Sequence, residues 1–258
     1  MDPLNNLRKV AQGSQTRTFV YDLLGRLTSA TNPESGTMSY TYDSVGNMLS
    51  RTDARSRVTC YGSLSGSTCS GTSYDALNRP ASVSYSDFTP AVTYGYDSGT
   101  NGIGQLTQIG NSSSTTNFTA FDPMGRVTAS TQQTDMSYGF TYTYNLAGAL
   151  ASETYPSGRV LTTSYDSANR PVTLSGSLNN QSTNYVTNAS YWANGGITSL
   201  TRGNNLIHAE AYNSPLQLTG VTESATSGAL LSLGLNWVSP ATKANNGTLQ
   251  SVTTTGGA

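Results

Sequence analysis

Read from Ser137 to Tyr144, the chain alternates small or polar residues with aromatic ones. Tyr138, Phe140, Tyr142 and Tyr144 therefore fall on one face of an extended segment and Ser137, Gly139, Thr141 and Thr143 on the other. Met38, Tyr40 and Tyr42 repeat the pattern, as do Val92, Tyr94 and Tyr96. Each run ends in a short polar turn, and an apolar residue such as Leu27, Met48, Val127 or Leu150 follows the turn. Alternation on both sides of a tight turn predicts a β-hairpin. A second kind of punctuation, Asn32-Pro33-Glu34-Ser35-Gly36 and Tyr155-Pro156-Ser157-Gly158, predicts the link from one hairpin to the next. No stretch shows a sustained helical period with capping residues, so the chain predicts an all-β antiparallel meander.

The turns are copies of one another. Tyr21-Asp22-Leu23-Leu24-Gly25-Arg26-Leu27 returns as Tyr42-Asp43-Ser44-Val45-Gly46-Asn47-Met48 and as Tyr74-Asp75-Ala76-Leu77-Asn78-Arg79-Pro80. Further copies are Phe121-Asp122-Pro123-Met124-Gly125-Arg126-Val127, Tyr144-Asn145-Leu146-Ala147-Gly148-Ala149-Leu150 and Tyr165-Asp166-Ser167-Ala168-Asn169-Arg170-Pro171. Weaker ones begin at Tyr96-Asp97, Tyr191-Trp192 and Tyr212-Asn213. Asp followed three residues later by Gly, or by Asn78 and Asn169, suits a turn that the Asp side chain closes and whose exit is left-handed. Residues 1–258 thus predict a single array of about ten units, with an insertion at 53–72.

Composition narrows the functions open to such an array. There are 13 basic and 14 acidic residues, a net charge of −1 and only 10% charged residues, while Ser and Thr number 36 and 38. That balance offers no electrostatic footprint for nucleic acid. No apolar run is long enough for a helical membrane span. One histidine, His208, and two cysteines argue against a multi-ligand metal site, and no motif implies a cofactor. A Gly-x-Ser-x-Gly elbow is also missing, so the expectation is a chain that is not an enzyme.

The repeated Tyr-Asp-x-x-Gly-Arg-Leu signature resembles the YD repeats of the RHS (rearrangement hotspot) family, over essentially the whole chain. Asn194-Gly195-Gly196-Ile197 and Asn245-Asn246-Gly247-Thr248-Leu249 resemble diverged turns of the same kind, and Asp2-Pro3-Leu4 fits the turn with Met1 in the Tyr position. The resemblance implies a curved strip of tandem hairpins, part of an RHS/YD-repeat shell and truncated at both ends. It also implies a secreted or cell-surface bacterial protein whose wall encloses a C-terminal toxin domain. The partners would be the rest of the parent RHS chain and that cargo. An adhesin or carbohydrate-binding repeat protein is the alternative. Family shells end in a self-cleavage region containing Asp-Pro-x-Gly. Asp122-Pro123-Met124-Gly125 matches it literally but lies in register with the other turns, so no cleavage is expected at Asp122.

The individual residues carry simple expectations. The repeat-turn set is Tyr21, Asp22, Gly25, Arg26, Tyr42, Asp43, Gly46, Tyr74, Asp75, Phe121, Asp122, Gly125, Tyr144, Gly148, Tyr165 and Asp166, with Asp97 as a further turn carboxylate. The arginines at 26, 79, 126 and 170 are expected to pair with acids of a neighbouring hairpin. Cys60 and Cys69, within the insertion, either form a disulfide or remain free thiols. His208 is expected to be structural or solvent-facing. The tyrosine stripe serves packing, with stacking of glycan rings on Tyr138, Tyr142 and Tyr144 as the other option.

Overall fold

The computed structural model describes residues 1–239 and 241–256. Every named strand in it pairs antiparallel, and no helix forms among the described residues. The chain divides into two compact units, Met1–Gly139 and Phe140–Ala258. In the first, the hairpin Gln15–Tyr21/Leu27–Asn32 is followed by Gly36–Tyr42/Met48–Thr52, and strands continue to pair in chain order as far as Val127–Gln133. In the second, the same succession runs through Val160–Tyr165/Pro171–Leu178 and Gln181–Tyr191/Ile197–Arg202 to Gly228–Asn236/Ser251–Gly256. The all-β hairpin strip read from the sequence is what the chain forms.

The turn residues account for this regularity. Gly25, Gly46, Gly125 and Gly148 have φ of +76°, +99°, +78° and +88°, and Asn78 and Asn169 take +60° and +59° at the same place. These are values a β-branched residue would resist. A second regular feature could not be read from alternation. The register shifts by one residue immediately before the aromatic position, between Val20 and Tyr21, Thr41 and Tyr42, Ser164 and Tyr165, and Ser190 and Tyr191. Each of these hairpins thus carries a β-bulge behind its turn, where the extra residue increases the local twist.

Little of the chain is fully covered. Ala30, Val58, Cys60, Val83, Phe121 and Ala189 are the buried apolar residues, and most strand positions are half-buried. Leu24, Val45, Leu77 and Met124, at corresponding places in successive turns, are exposed. A single layer of strands with so small a core must draw stability from contacts between neighbouring hairpins.

Candidate functional site

The chemistry that recurs along the chain begins with a carboxylate clasp inside each turn. Asp22 Oδ1 accepts from the amides of Leu24 and Arg26, both at 2.9 Å, and Oδ2 accepts from Arg26 Nε at 2.7 Å. Asp75, Asp122 and Asp166 repeat all three bonds with Arg79, Arg126 and Arg170. At Asp43 the side chain of Asn47 takes the place of Arg. The amide of Arg26 does most to hold the Asp22 carboxyl below its ordinary range, followed by the guanidinium. At Asp43 desolvation opposes the shift, and bonds from the Asn47 amide and side chain outweigh it. Where the carboxylate is missing, as at Asn145, the side-chain oxygen still accepts from Ala149 N at 2.9 Å.

The arginines pair first with their own turn's Asp rather than with the next hairpin's acids. Geometry explains the difference: Arg stands four residues after Asp, where the turn folds it back onto the carboxylate. The far end of the same guanidinium then reaches forward. Arg26 Nη1 donates to the Asp43 carbonyl at 2.8 Å, and Arg170 Nη1 to the Trp192 carbonyl at 3.0 Å. Arg79 instead reaches a neighbour's carboxylate, that of Asp97. Asp97 itself does not close a tight turn. It starts a longer loop, accepts from Gly104 N at 2.7 Å, and its pKa falls to about 2, chiefly through Arg79.

The reaching guanidinium lies over the aromatic ring of the following unit. Arg26 is 4.9 Å from the centre of Tyr42, Arg79 is 4.2 Å from Tyr96, and Arg170 is 4.9 Å from Tyr191. The ring ends in a hydroxyl that points back. Tyr42 donates to the Leu27 carbonyl at 2.8 Å, Tyr74 to Met48 at 2.8 Å and Tyr96 to Pro80 at 2.9 Å. Tyr165 and Tyr191 do the same to Leu150 and Pro171, at 2.7 Å and 2.6 Å. The acceptor is always the residue after the Arg position of the preceding unit. Trp237 makes the bond with its indole nitrogen, donating to Leu218 at 2.7 Å, and so occupies the aromatic position of a further unit. Phe121, which has no hydroxyl, is instead buried, and its amide donates to Thr100 at 2.9 Å. Clasp, cation–π contact and hydroxyl bond together form a staple from one hairpin to the next.

A family model described as RHS Repeat matches residues 21–58 and 141–178. At these two places the chain carries RHS repeats. Among solved structures it is similar to TcdB2-TccC3-Cdc42, with a TM-score of 0.78 and 18% identity over 94% of this chain and 12% of that chain. It is also similar to the Photorhabdus luminescens Tc holotoxin pore (TM-score 0.77, 17% identity, 94% of this chain, 12% of that chain). A third match is TcdB2-TccC3 without the hypervariable C-terminal region (TM-score 0.74, 15% identity, 93% and 14%). At these identities the likeness shows a shared fold, and this chain spans about an eighth of the matched chains. No curated protein matched the sequence.

Cys60 and Cys69 are joined in a disulfide with Cα atoms 5.5 Å apart. It ties down a small hairpin, Ser63–Ser65/Thr68–Ser70, whose strands pair only with each other, while Val58–Cys60 pairs directly with Ser82–Tyr85. Tyr138, Tyr142 and Tyr144 are each half-buried, and the Tyr138 hydroxyl donates to Asp135 Oδ1 at 3.3 Å.

His208 occupies a setting that the sequence did not reveal. Its Nδ1 is 2.9 Å from Glu223 Oε1, its Nε2 is 3.1 Å from Glu210 Oε1, Arg202 grips Glu223 through both nitrogens, and Tyr212 donates to Glu210. Burial disfavours the imidazolium, yet hydrogen bonds to Glu210 and Glu223 outweigh it and raise the His208 pKa above 6.5. Glu223 is lowered to about 2, first by Arg202. Both ring nitrogens face carboxylates, so neither is free to take a proton from a substrate. No group of three His, Cys, Asp or Glu residues among the described residues could hold a metal ion.

Proposed function

We propose that these RHS repeats are a stretch of wall in a longer bacterial protein, secreted or on the cell surface, whose shell encloses a C-terminal cargo domain. The function is steric: the wall keeps the cargo from water, proteases and the producing cell. The observation that carries the reading is the staple itself. It couples hairpin to hairpin at several points along the chain, and no group of three His, Cys, Asp or Glu among the described residues could hold a metal ion. A wall needs that kind of local, repeated cohesion and nothing catalytic. The glycan-binding alternative rests on Tyr138, Tyr142 and Tyr144, and the Tyr138 hydroxyl is already engaged with Asp135.

Sequencing the DNA on both sides of the reading frame tests this. The expected result is further repeats leading to an Asp-Pro-x-Gly region and an unrelated C-terminal domain. That domain should resist protease while attached to the intact repeats. A frame that ends in a membrane anchor, or a C-terminal domain digested as fast with the repeats as without them, would overturn the enclosure reading.

A further inference from the structure

Around Asp53 the repeat keeps its clasp but loses its ring. Asp53 Oδ1 accepts from the amides of Arg55 and Arg57, both at 2.9 Å, as a repeat carboxylate should. Thr52 stands in the tyrosine position, and none of Arg51, Arg55 and Arg57 lies over an aromatic ring among the described residues. The three arginines instead converge on a cavity of about 370 Å³ that Thr59, Tyr85 and Thr89 also line. Strand register sets this up. Arg51 is opposite Thr59, and Thr59 is opposite Tyr85, so guanidinium, hydroxyl and phenol share one face across three strands.

Charge at the cavity is unbalanced, with three guanidinium groups against Asp53 and Asp87. The two acids are already engaged. Asp53 holds Arg55 at 3.3 Å, and Asp87 accepts from Thr89 N at 3.3 Å and pairs with Arg57 at 3.4 Å. The Arg51 side chain makes no hydrogen bond or ion pair among the described residues. The Arg55 and Arg57 side chains are 71% and 52% exposed, so their pairs are weak and can be re-formed around a stronger acceptor. Arg26, Arg79 and Arg170 lie over rings; Arg51, Arg55 and Arg57 face a hollow.

We propose that this cavity binds a small, doubly charged oxyanion, the chemistry shared by phosphate and by short dicarboxylates. Guanidinium groups suit such ligands because their planar donors meet two oxygens at once. Thr59 and Thr89 supply neutral donors beside the charge, and the volume lies at the small end of ligand pockets. The site stands independently of any enclosed cargo.

Calorimetric titration of the full chain at low salt, with inorganic phosphate and separately with succinate, tests the proposal. Saturable heat is expected, weakening as salt is added. Saturation by phosphate alone, by succinate alone or by both identifies the source and supports the site. Arg51→Gln should weaken binding by at least about tenfold, the effect of one charge-assisted hydrogen bond. Arg51→Lys, which keeps the charge and loses the fork, should recover part of it. Arg159→Gln, removing an exposed arginine that donates to the Tyr185 hydroxyl, should leave binding unchanged. Absence of saturable heat with both anions overturns the proposal. So does an Arg51→Gln chain, folded by circular dichroism, that binds like the parent. Should Arg51→Gln fail to fold, Arg51→Lys decides the matter: unchanged affinity would overturn the proposal.

Discussion

Tyr42 offers the cleanest measurement of what one staple contributes. Its hydroxyl donates to the Leu27 carbonyl at 2.8 Å from a half-buried position, and its ring lies under Arg26 at 4.9 Å. Replacing Tyr42 by Phe removes the hydroxyl and leaves the ring. The expected loss is one net intramolecular hydrogen bond, about 1 kcal/mol. Replacing it by Ala also removes the ring and its cation–π contact, so the loss should reach about 3 kcal/mol. Tyr40, two residues earlier on the same strand, is the control. Its hydroxyl touches only Met38 Sδ, at 3.9 Å, so Tyr40→Phe should stay within about 0.5 kcal/mol of the parent. Urea unfolding followed by far-UV circular dichroism gives the stabilities. Amide exchange across residues 21–58 localises them, because 1 kcal/mol corresponds to about a fivefold loss of protection. If Tyr42→Phe and Tyr40→Phe behave alike, the hydroxyl bond is not what couples these hairpins.

Four further outcomes follow from other parts of the fold. Because the folded His208 pKa is raised, its stabilising contribution is complete below about pH 6.5 and fades as pH rises through the folded value. With a single histidine, an NMR titration reads that value directly, and His208→Gln should abolish the alkaline loss. Acid works on the other partner: the support from Glu223 should persist above about pH 4.5 and disappear as pH falls toward 2. Reducing Cys60–Cys69, nine residues apart, should cost about 2–3 kcal/mol by the loop-entropy relation, measured as a lower urea midpoint with dithiothreitol. Gly25→Ala meets no atom within 4 Å but must adopt φ +76°, so it should destabilise by about 1–2 kcal/mol while Asn169→Gly remains near neutral.

What could be read from the sequence was local. Alternation before Tyr42 and Tyr144, and Asp-x-x-Gly or Asn-x-x-Gly after them, specify hairpins because strand period and turn chemistry act over a few residues. The staple was hidden because Tyr42 and Leu27, or Tyr191 and Pro171, meet only once neighbouring hairpins pair. Trp237 was missed because its indole takes the aromatic place without a following Asp. Asp53 was missed because Thr52 precedes it. Arg26 was expected to look outward, whereas its four-residue distance from Asp22 turns it inward first. The His208 cluster depends on register: His208 faces Glu223 only because the intervening turn brings Ile207–Tyr212 and Leu218–Ala225 together.

Each staple also has a direction. The guanidinium and carbonyl belong to the earlier hairpin, and the hydroxyl and ring to the later one, so the hairpins overlap like roof shingles laid from one end. The parts are the same at Arg26–Tyr42 and at Arg170–Tyr191. A genetic crossover that joined Arg26 to Pro171 would set the Tyr191 ring over Arg26 and its hydroxyl against the Pro171 carbonyl, a junction that already fits. Length in such a chain can therefore grow or shrink by whole hairpins, with every intermediate keeping the same seams.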